Sequence, residues 1–220
     1  MIEISASILG VKKEEEAAKA FYDLEVAGTD FFHIDVMDGK FVPENTEERM
    51  FEFATTIKHI SNTPLDVHLM VEDAKENIDK YLSLEPSYIT VHYEAFKSKE
   101  ELKEILEYIR KNNIKTGLSI KPNTSVSEIE EFLPSINMLL VMTVEPGYGG
   151  QKLIPECLVK AKEIKEIIER DNLDCYVEVD GGVNLETMDA VKEAKVDIAV
   201  VGSALINAEN YMQTIKELKG

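Results

Sequence analysis

The sequence predicts a single-domain α/β fold of the (β/α)8 TIM-barrel class, spanning residues 1–220. Short β-branched runs alternate with longer charged, amphipathic runs, and this alternation repeats eight times. Dividing 220 residues among eight units gives about 27 residues each, which is near the lower limit for such a barrel. Polar residues also recur where the short runs end. These three observations together favour a closed barrel.

The predicted strands are short runs of β-branched and apolar residues. In chain order they cover residues 2–7, 30–36, 65–70, 88–92, 116–120, 138–144, 175–180 and 198–202. The predicted helices repeat apolar residues at three- and four-residue spacing, as in Leu102, Ile105, Leu106 and Ile109. In order they cover residues 13–27, 47–60, 74–82, 99–112, 125–133, 155–170, 185–193 and 208–218.

Alternating strands and helices imply a parallel sheet with right-handed crossovers, which either closes into a barrel or stays open and doubly wound. The polar residues distinguish the two folds, because the carboxyl ends of all strands meet at one rim only in a barrel. In an open sheet several of these residues would lie far apart. The barrel is favoured by the placement of His33, Asp35, His68, His92, Asp180, Gly202 and Ser203.

Composition excludes several classes of partner. The formal net charge of −18 repels nucleic acid, and it disfavours small anionic substrates unless local dipoles override it. No apolar run approaches the roughly 20 residues needed to span a bilayer, so we expect a cytoplasmic protein without a membrane partner. Cys157 and Cys175 lack metal-type spacing and are expected to be inert thiols.

Histidines and carboxylates form the most informative constellation. Side chains two apart on a strand share a side, so His33 and Asp35 project together, and His68 and Asp180 can join them from other strands. This is a plausible site for a divalent metal, with zinc, iron, manganese and cobalt all suited, and it contains two acids for proton transfer. The alternative for any one histidine is a hydrogen-bonded core residue. His92 is expected to contact substrate or orient a ligand.

Glycine-rich loops at the same strand ends indicate a phosphate site. Gly147, Gly149 and Gly150 follow the sixth strand, Gly182 follows the seventh, and Gly202-Ser203 ends the eighth. Backbone N–H groups in such loops bind anions without basic side chains, which would answer the objection from net charge. Single glycine pairs are also common in ordinary turns.

Three methionines lie at the ends of predicted strands: Met37, Met70 and Met142. They either pack in the barrel core or form a non-ionising wall that keeps water from a charged intermediate.

At these residues the chain resembles the ribulose-phosphate 3-epimerase family over nearly its whole length. The matching motifs are Ser7-Ile8-Leu9, HIDVMDG at 33–39, Phe41-Val42-Pro43, DVHLM at 66–70, PGYGGQ at 146–151, EVDGGVN at 178–184 and Gly202-Ser203-Ala204. The resemblance implies a ribulose-phosphate-binding barrel that interconverts D-ribulose 5-phosphate and D-xylulose 5-phosphate. Proton transfer at C3 would use two bases and pass through a metal-stabilised enediolate.

The resemblance also implies a role for each matched residue. His33, Asp35, His68 and Asp180 would bind one divalent metal, and Asp35 and Asp180 would be the acid/base pair. The substrate contacts implied are Ser7, the three methionines, and the phosphate-binding residues Gly149, Gly150, Gly182, Gly202 and Ser203. A homo-oligomer is expected.

Departures from the family pattern bear on the substrate. Ala6 replaces the usual proline, Glu145 replaces the usual asparagine, and residues 44–49 differ from the usual sequence after Pro43. A six-carbon substrate, as in the similar allulose-6-phosphate 3-epimerases, is the nearest alternative. A sugar-phosphate lyase on the same barrel would typically carry Asp-x-Lys-x-x-Asp on strand 3, where this chain has Asp66-Val67-His68-Leu69. A non-catalytic sugar-phosphate sensor would be expected to have lost at least one metal-binding residue, and none is missing here.

Overall fold

The predicted barrel is confirmed by the computed structural model, which describes residues 2–12 and 14–220. Within these residues, eight parallel strands pair in chain order and close by pairing of the first strand with the last. The strands are β1 Glu3–Ser7, β2 Phe31–Met37, β3 Leu65–Met70, β4 Tyr88–His92, β5 Lys115–Ile120, β6 Met138–Met142, β7 Tyr176–Asp180 and β8 Ile198–Val201.

The helices cover the outside of the barrel. They are α1 Glu14–Ala27, α2 Glu47–Ile60, α3 Ala74–Leu82, α4 Lys99–Lys111, α5 Val126–Ile129, α6 Pro155–Arg170, α7 Met188–Glu193, α8 Ser203–Ile206 and α9 Tyr211–Lys219. Two 3₁₀ helices occupy Tyr93–Ala95 and Glu130–Ser135. Among the described residues, no helix combines the length and apolar character needed to cross a membrane.

Most boundaries agree with the sequence prediction within two residues, and two of the larger differences have identifiable reasons. The helix predicted over 125–133 ends as an α-helix at Ile129 and continues as 3₁₀, because the Pro134 ring would clash with a carbonyl one turn earlier in an α-helix. The helix predicted over 185–193 begins at Met188, because Asn184 Oδ1 accepts from the N–H groups of Glu186 and Thr187 and forms a turn instead. Predicted helix position 13 lies outside the described residues.

The strand register places the polar residues at one end of the barrel. Asp35 pairs with His68 between β2 and β3, and Met142 pairs with Asp180 between β6 and β7. At the opposite end, Tyr88, Met138 and Ile198 form an apolar cluster with Phe31. The main core lies between the strands and the helices, where the ring of Phe21 on α1 contacts the rings of both Phe32 and Phe53 edge-on.

Candidate active site

Four side chains from three strands meet near the carboxyl ends of the strands. His33 Nε2 lies 3.4 Å from Asp35 Oδ1 and 3.9 Å from Asp180 Oδ2. His68 Nδ1 lies 3.7 Å from Asp35 Oδ1 and 3.8 Å from Asp180 Oδ2. One ligand atom from each residue lies within 4.8 Å of all the others. The structure therefore brings together the four residues that the sequence suggested as a metal site.

The donor atoms of this group fit a divalent metal. Within the described residues 2–12 and 14–220, neither His33 Nε2 nor His68 Nδ1 has a hydrogen-bond partner, although both are buried. Leaving such atoms unpaired costs about 1–3 kcal/mol each, so a ligand for them is expected. Two imidazole nitrogens and two carboxylates are a common donor set for zinc, iron, manganese or cobalt.

The carboxylates around His33 favour the protonated, positively charged form of its ring. Burial lowers the pKa of His33, but the neighbouring carboxylates of Asp66 and Asp35 outweigh it and raise the pKa well above its usual value. The same negative surroundings attract a metal cation.

The two carboxylates of the group have opposite pKa shifts. Burial would raise the pKa of Asp35, but the neighbouring imidazoles, chiefly His33, outweigh it and lower the pKa. Burial, with the nearby negative charge of Asp35, raises the pKa of Asp180 to about 6. In the metal-free protein near pH 6, Asp35 is thus ionised while Asp180 exchanges a proton. An acid and a base face the same small volume.

Asp66 is a further functional candidate, to which the sequence alone gave no role. Its Oδ2 lies 2.6 Å from His33 Nδ1 and accepts from Ser5 Oγ at 3.0 Å. A carboxylate bound to the far nitrogen of a metal ligand orients the ring and strengthens its donor. Strand alternation could have indicated this residue, because Asp66 precedes His68 by two residues and therefore lies on the same side of the strand.

Glu178 lies beneath the same histidine and was also missed. It is fully buried, and one of its oxygens lies within 4.8 Å of ligand atoms of His33 and Asp66. Burial, followed by the charge of Asp66, raises its pKa well above the usual value. The protonated form of Glu178 is thereby favoured, which limits the negative charge inside the barrel.

His92 lies against His68 and does not belong to the group of four. Its Nε2 is 2.9 Å from His68 Nε2, and its Nδ1 is 3.2 Å from Glu94 Oε2. Burial lowers the pKa of His92 to about 4, so the ring is neutral at neutral pH. Glu94 was not anticipated, and its only sequence signal is its position two residues after the histidine.

Ser7, Met37, Met70 and Met142 are the last residues of β1, β2, β3 and β6. Ser7 Oγ donates to Asp35 Oδ2 at 2.7 Å. Met37 and Met70 pack together with Val42. Met142 belongs to a separate cluster with Leu140 and Val144, which the sequence analysis did not distinguish. All three methionine side chains are buried.

The loop between β6 and α6 contacts three other loops at the same rim. Measured from the position that a Cβ atom would take, Gly147 is 3.2 Å from Pro43 and Gly149 is 3.8 Å from Leu9. The equivalent position on Gly182, after β7, is 2.3 Å from the nitrogen of Leu153. The loops after β1, β2, β6 and β7 are therefore packed against one another.

Gly202 and Gly150, also predicted to bind phosphate, lie in two different surroundings. The Cβ position of Gly202 would be 3.5 Å from Ser7 Oγ, so the end of β8 adjoins the serine, and Ser203 begins α8. Gly150 has a positive φ of 77° and no atom within 4 Å of its Cβ position. Its backbone is accordingly less enclosed than that of Gly182.

The fold and the site together define a TIM-barrel enzyme with a buried histidine–carboxylate centre at the carboxyl ends of its strands. Comparison with known proteins specifies it further. The model of the "Ribulose-phosphate 3 epimerase family" matches residues 3–206. The chain belongs to this family, and it is an epimerase, an enzyme of the isomerase class.

Curated relatives agree with this family over at least 90% of their length. "Ribulose-phosphate 3-epimerase" of Bacillus subtilis is 36% identical over 221 residues, covering 100% of this chain and 99% of the relative. The protein of the same name from Methanocaldococcus jannaschii is 36% identical, covering 100% of this chain and 90% of the relative.

Solved structures of lower identity share the fold. "KGPDC from Streptococcus mutans" superposes with a TM-score of 0.72 at 12% identity, covering 100% of this chain and 96% of that one. A tryptophan synthase alpha-subunit mutant from Pyrococcus furiosus gives 0.70 at 17% identity, with 100% and 98% covered. At these identities the likeness concerns the barrel alone.

Proposed function

We propose that the protein interconverts D-ribulose 5-phosphate and D-xylulose 5-phosphate by inverting the configuration at C3. Family membership and the names of the relatives support this substrate. The observation that carries the proposal is the pairing of Asp35 and Asp180, whose carboxylates both face His33 and His68 while their pKa values shift in opposite directions.

Inversion next to a ketone requires removal of a proton on one face and delivery of a proton on the other. In this proposal Asp35 and Asp180 form the acid/base pair: one carboxylate accepts the C3 proton and the other carboxyl group delivers a proton to the opposite face. The reverse reaction exchanges these roles. Ser7, by donating to Asp35 Oδ2, leaves Oδ1 of that carboxylate facing the site.

The residues that would hold one divalent ion are His33, Asp35, His68 and Asp180. When bound, such an ion supplies electrostatic stabilisation to negative charge that develops on substrate oxygens. The protein contributes Asp66, which orients His33 through a hydrogen bond. Met37, Met70 and Met142 exclude water beside the site without adding a competing charge.

For the phosphate group we propose binding by backbone N–H groups of Gly149, Gly150, Gly182, Gly202 and Ser203, with Gly147 shaping the same loop. The mutual packing of the loops after β6 and β7, and of Gly202 with Ser7, supports a shared binding surface at this rim. Backbone donors suit a chain of net charge −18, because they bind an anion without a basic side chain.

The proposal is tested by following deuterium uptake at C3 in heavy water for a panel of five- and six-carbon ketose phosphates. We expect uptake and product formation to be fastest with D-ribulose 5-phosphate, and we expect neither with the Asp35→Asn variant. Faster turnover of D-allulose 6-phosphate would replace the proposed substrate with the six-carbon alternative. Cleavage of a carbon–carbon bond without C3 exchange would contradict an epimerase.

A further inference from the structure

A line of hydrogen bonds extends from Glu94 to the inner histidines. Glu94 Oε1 accepts from the backbone N–H of Lys121 at 2.7 Å and from the hydroxyl of Thr124. Glu94 Oε2 lies 3.2 Å from His92 Nδ1, and His92 Nε2 lies 2.9 Å from His68 Nε2. His68 and His92 are both completely buried, so these contacts replace contacts with water.

Glu94 determines which atom donates and which accepts in each hydrogen bond of this line. An ionised carboxylate only accepts, so His92 Nδ1 carries the hydrogen. A neutral imidazole has one N–H, so His92 Nε2 is then an acceptor and the facing His68 Nε2 must donate. His68 Nδ1 is left with its lone pair. That nitrogen is the atom that faces Asp35 and Asp180 at 3.7 Å and 3.8 Å.

Without Glu94 the site would favour the opposite tautomer. Two carboxylates beside His68 Nδ1 attract a hydrogen on that nitrogen, and a nitrogen that carries hydrogen cannot bind a metal. The contact between His68 Nε2 and His92 Nε2 couples the two rings, because one of these nitrogens must donate and the other accept. Glu94, the acceptor at the outer end of the line, therefore decides which tautomer of His68 is present.

We propose that Glu94 is a positioning residue that, through His92, fixes the tautomer in which His68 presents a lone pair at Nδ1 to the metal. Glu94 acts through another residue and does not touch the substrate. The inference rests on the proposed metal site, because the lone pair has a role only if a cation is bound there.

The decisive variant is Glu94→Gln, which preserves volume but has one acceptor and one donor. The amide oxygen must face Lys121, because a backbone N–H cannot reverse, whereas the Thr124 hydroxyl can rotate. The NH₂ group then faces His92 Nδ1 and makes it an acceptor. Both rings are then expected to adopt the opposite tautomer, which places a hydrogen on His68 Nδ1.

The measurement is long-range ¹H–¹⁵N NMR of the imidazole rings in the metal-free full-length protein. In the wild type we expect His68 to be protonated at Nε2 and His92 at Nδ1, and in Glu94→Gln the reverse. Zinc affinity, measured by competition with a chelator, should fall by about 10–100-fold in the variant. Thr124→Val is the matched control, since it removes a bond to Glu94 without changing the direction of the others.

Wild-type tautomers retained in Glu94→Gln would overturn the proposal, as would reversal of the tautomers in Thr124→Val. Reversed tautomers in Glu94→Gln with unchanged zinc affinity would overturn the role assigned to Glu94. The tautomers are read without metal or substrate, so none of these outcomes depends on C3 exchange. Failure of the wild type to exchange at C3 would count against the proposed function alone.

Discussion

Asp35 and Asp180 both approach Nδ1 of His68, at 3.7 Å and 3.8 Å, yet the pKa of Asp35 is lowered and that of Asp180 is raised to about 6. Burial raises the pKa of both groups. The difference arises because the two histidines stabilise the charge of Asp35, whose negative charge then opposes ionisation of Asp180. Similar distances thus produce two carboxylates with different proton affinities.

Replacing either carboxylate should abolish epimerisation without unfolding the protein. For Asp35→Asn and Asp180→Asn we expect activity to fall by at least about 10²–10⁴-fold, which is the usual contribution of a general acid or base. Activity is measured by NMR with D-ribulose 5-phosphate, and folding by circular dichroism. Folded variants that still exchange the C3 proton on both faces would contradict the two-base assignment.

Metal affinity should depend on pH through Asp180. Its folded pKa of about 6 is raised above the ordinary 3.8, so in the metal-free protein this carboxyl favours folding at low pH, and that contribution is lost as the pH rises from 3.8 through about 6. A metal binds the ionised form and must displace the proton below about pH 6.

We therefore expect the apparent affinity to fall by at least roughly tenfold for each pH unit below about 6, because His33, whose pKa is also raised, must release a proton as well. Calorimetric titrations in two buffers with different heats of ionisation measure the protons released on binding. An affinity that is unchanged from about pH 7 to about pH 5 would show that Asp180 is not a ligand.

Asp66 should affect the metal site without touching the metal. Asp66→Asn removes the carboxylate that lies 2.6 Å from His33 Nδ1, and we expect metal affinity to fall about 10–100-fold. Ser5→Ala is the matched control, because Ser5 Oγ donates to the same oxygen and its loss leaves the bond to His33 in place. Equal effects of both substitutions on affinity would indicate a general loss of packing.

Two of the loop glycines with positive φ, Gly150 and Gly182, should respond differently to alanine. Gly150→Ala meets no atom within 4 Å, so its cost is the left-handed backbone alone, about 1–2 kcal/mol. Gly182→Ala adds a collision with the Leu153 nitrogen at 2.3 Å and should destabilise the protein more. Urea unfolding of both variants checks the order, and a less stable Gly150→Ala would contradict the packing of these loops.

The two cysteines should be unreactive in the native protein. Burial raises the pKa of Cys175 to about 12 and also raises the pKa of Cys157, so neither thiol forms a thiolate near neutral pH. A thiol-specific reagent such as DTNB should react slowly with the folded protein and quickly after unfolding in guanidinium chloride. Rapid labelling of the folded protein would contradict this burial.

The main features of the site were predictable because strand periodicity is a local property. His33 and Asp35 share one side of β2 by alternation, and eight repeated units imply that Asp180 returns to the same rim. Asp66 could have been assigned by the same reasoning, since it stands two residues before His68. Glu94 could not, because its acceptor role depends on donors at Lys121 and Thr124, which lie 27 and 30 residues away in the chain.

The sequence by itself determined the barrel, the order of its strands and the residues at its rim, because these follow from hydrophobic periodicity and chain connectivity. The tertiary structure decided the opposite pKa shifts of Asp35 and Asp180, the raised pKa of Glu178 and the contacts that join Glu94 to His68 through His92. These properties depend on burial and on distances of a few ångströms between strands. Such quantities exist only once the barrel has closed and water has been excluded from its interior.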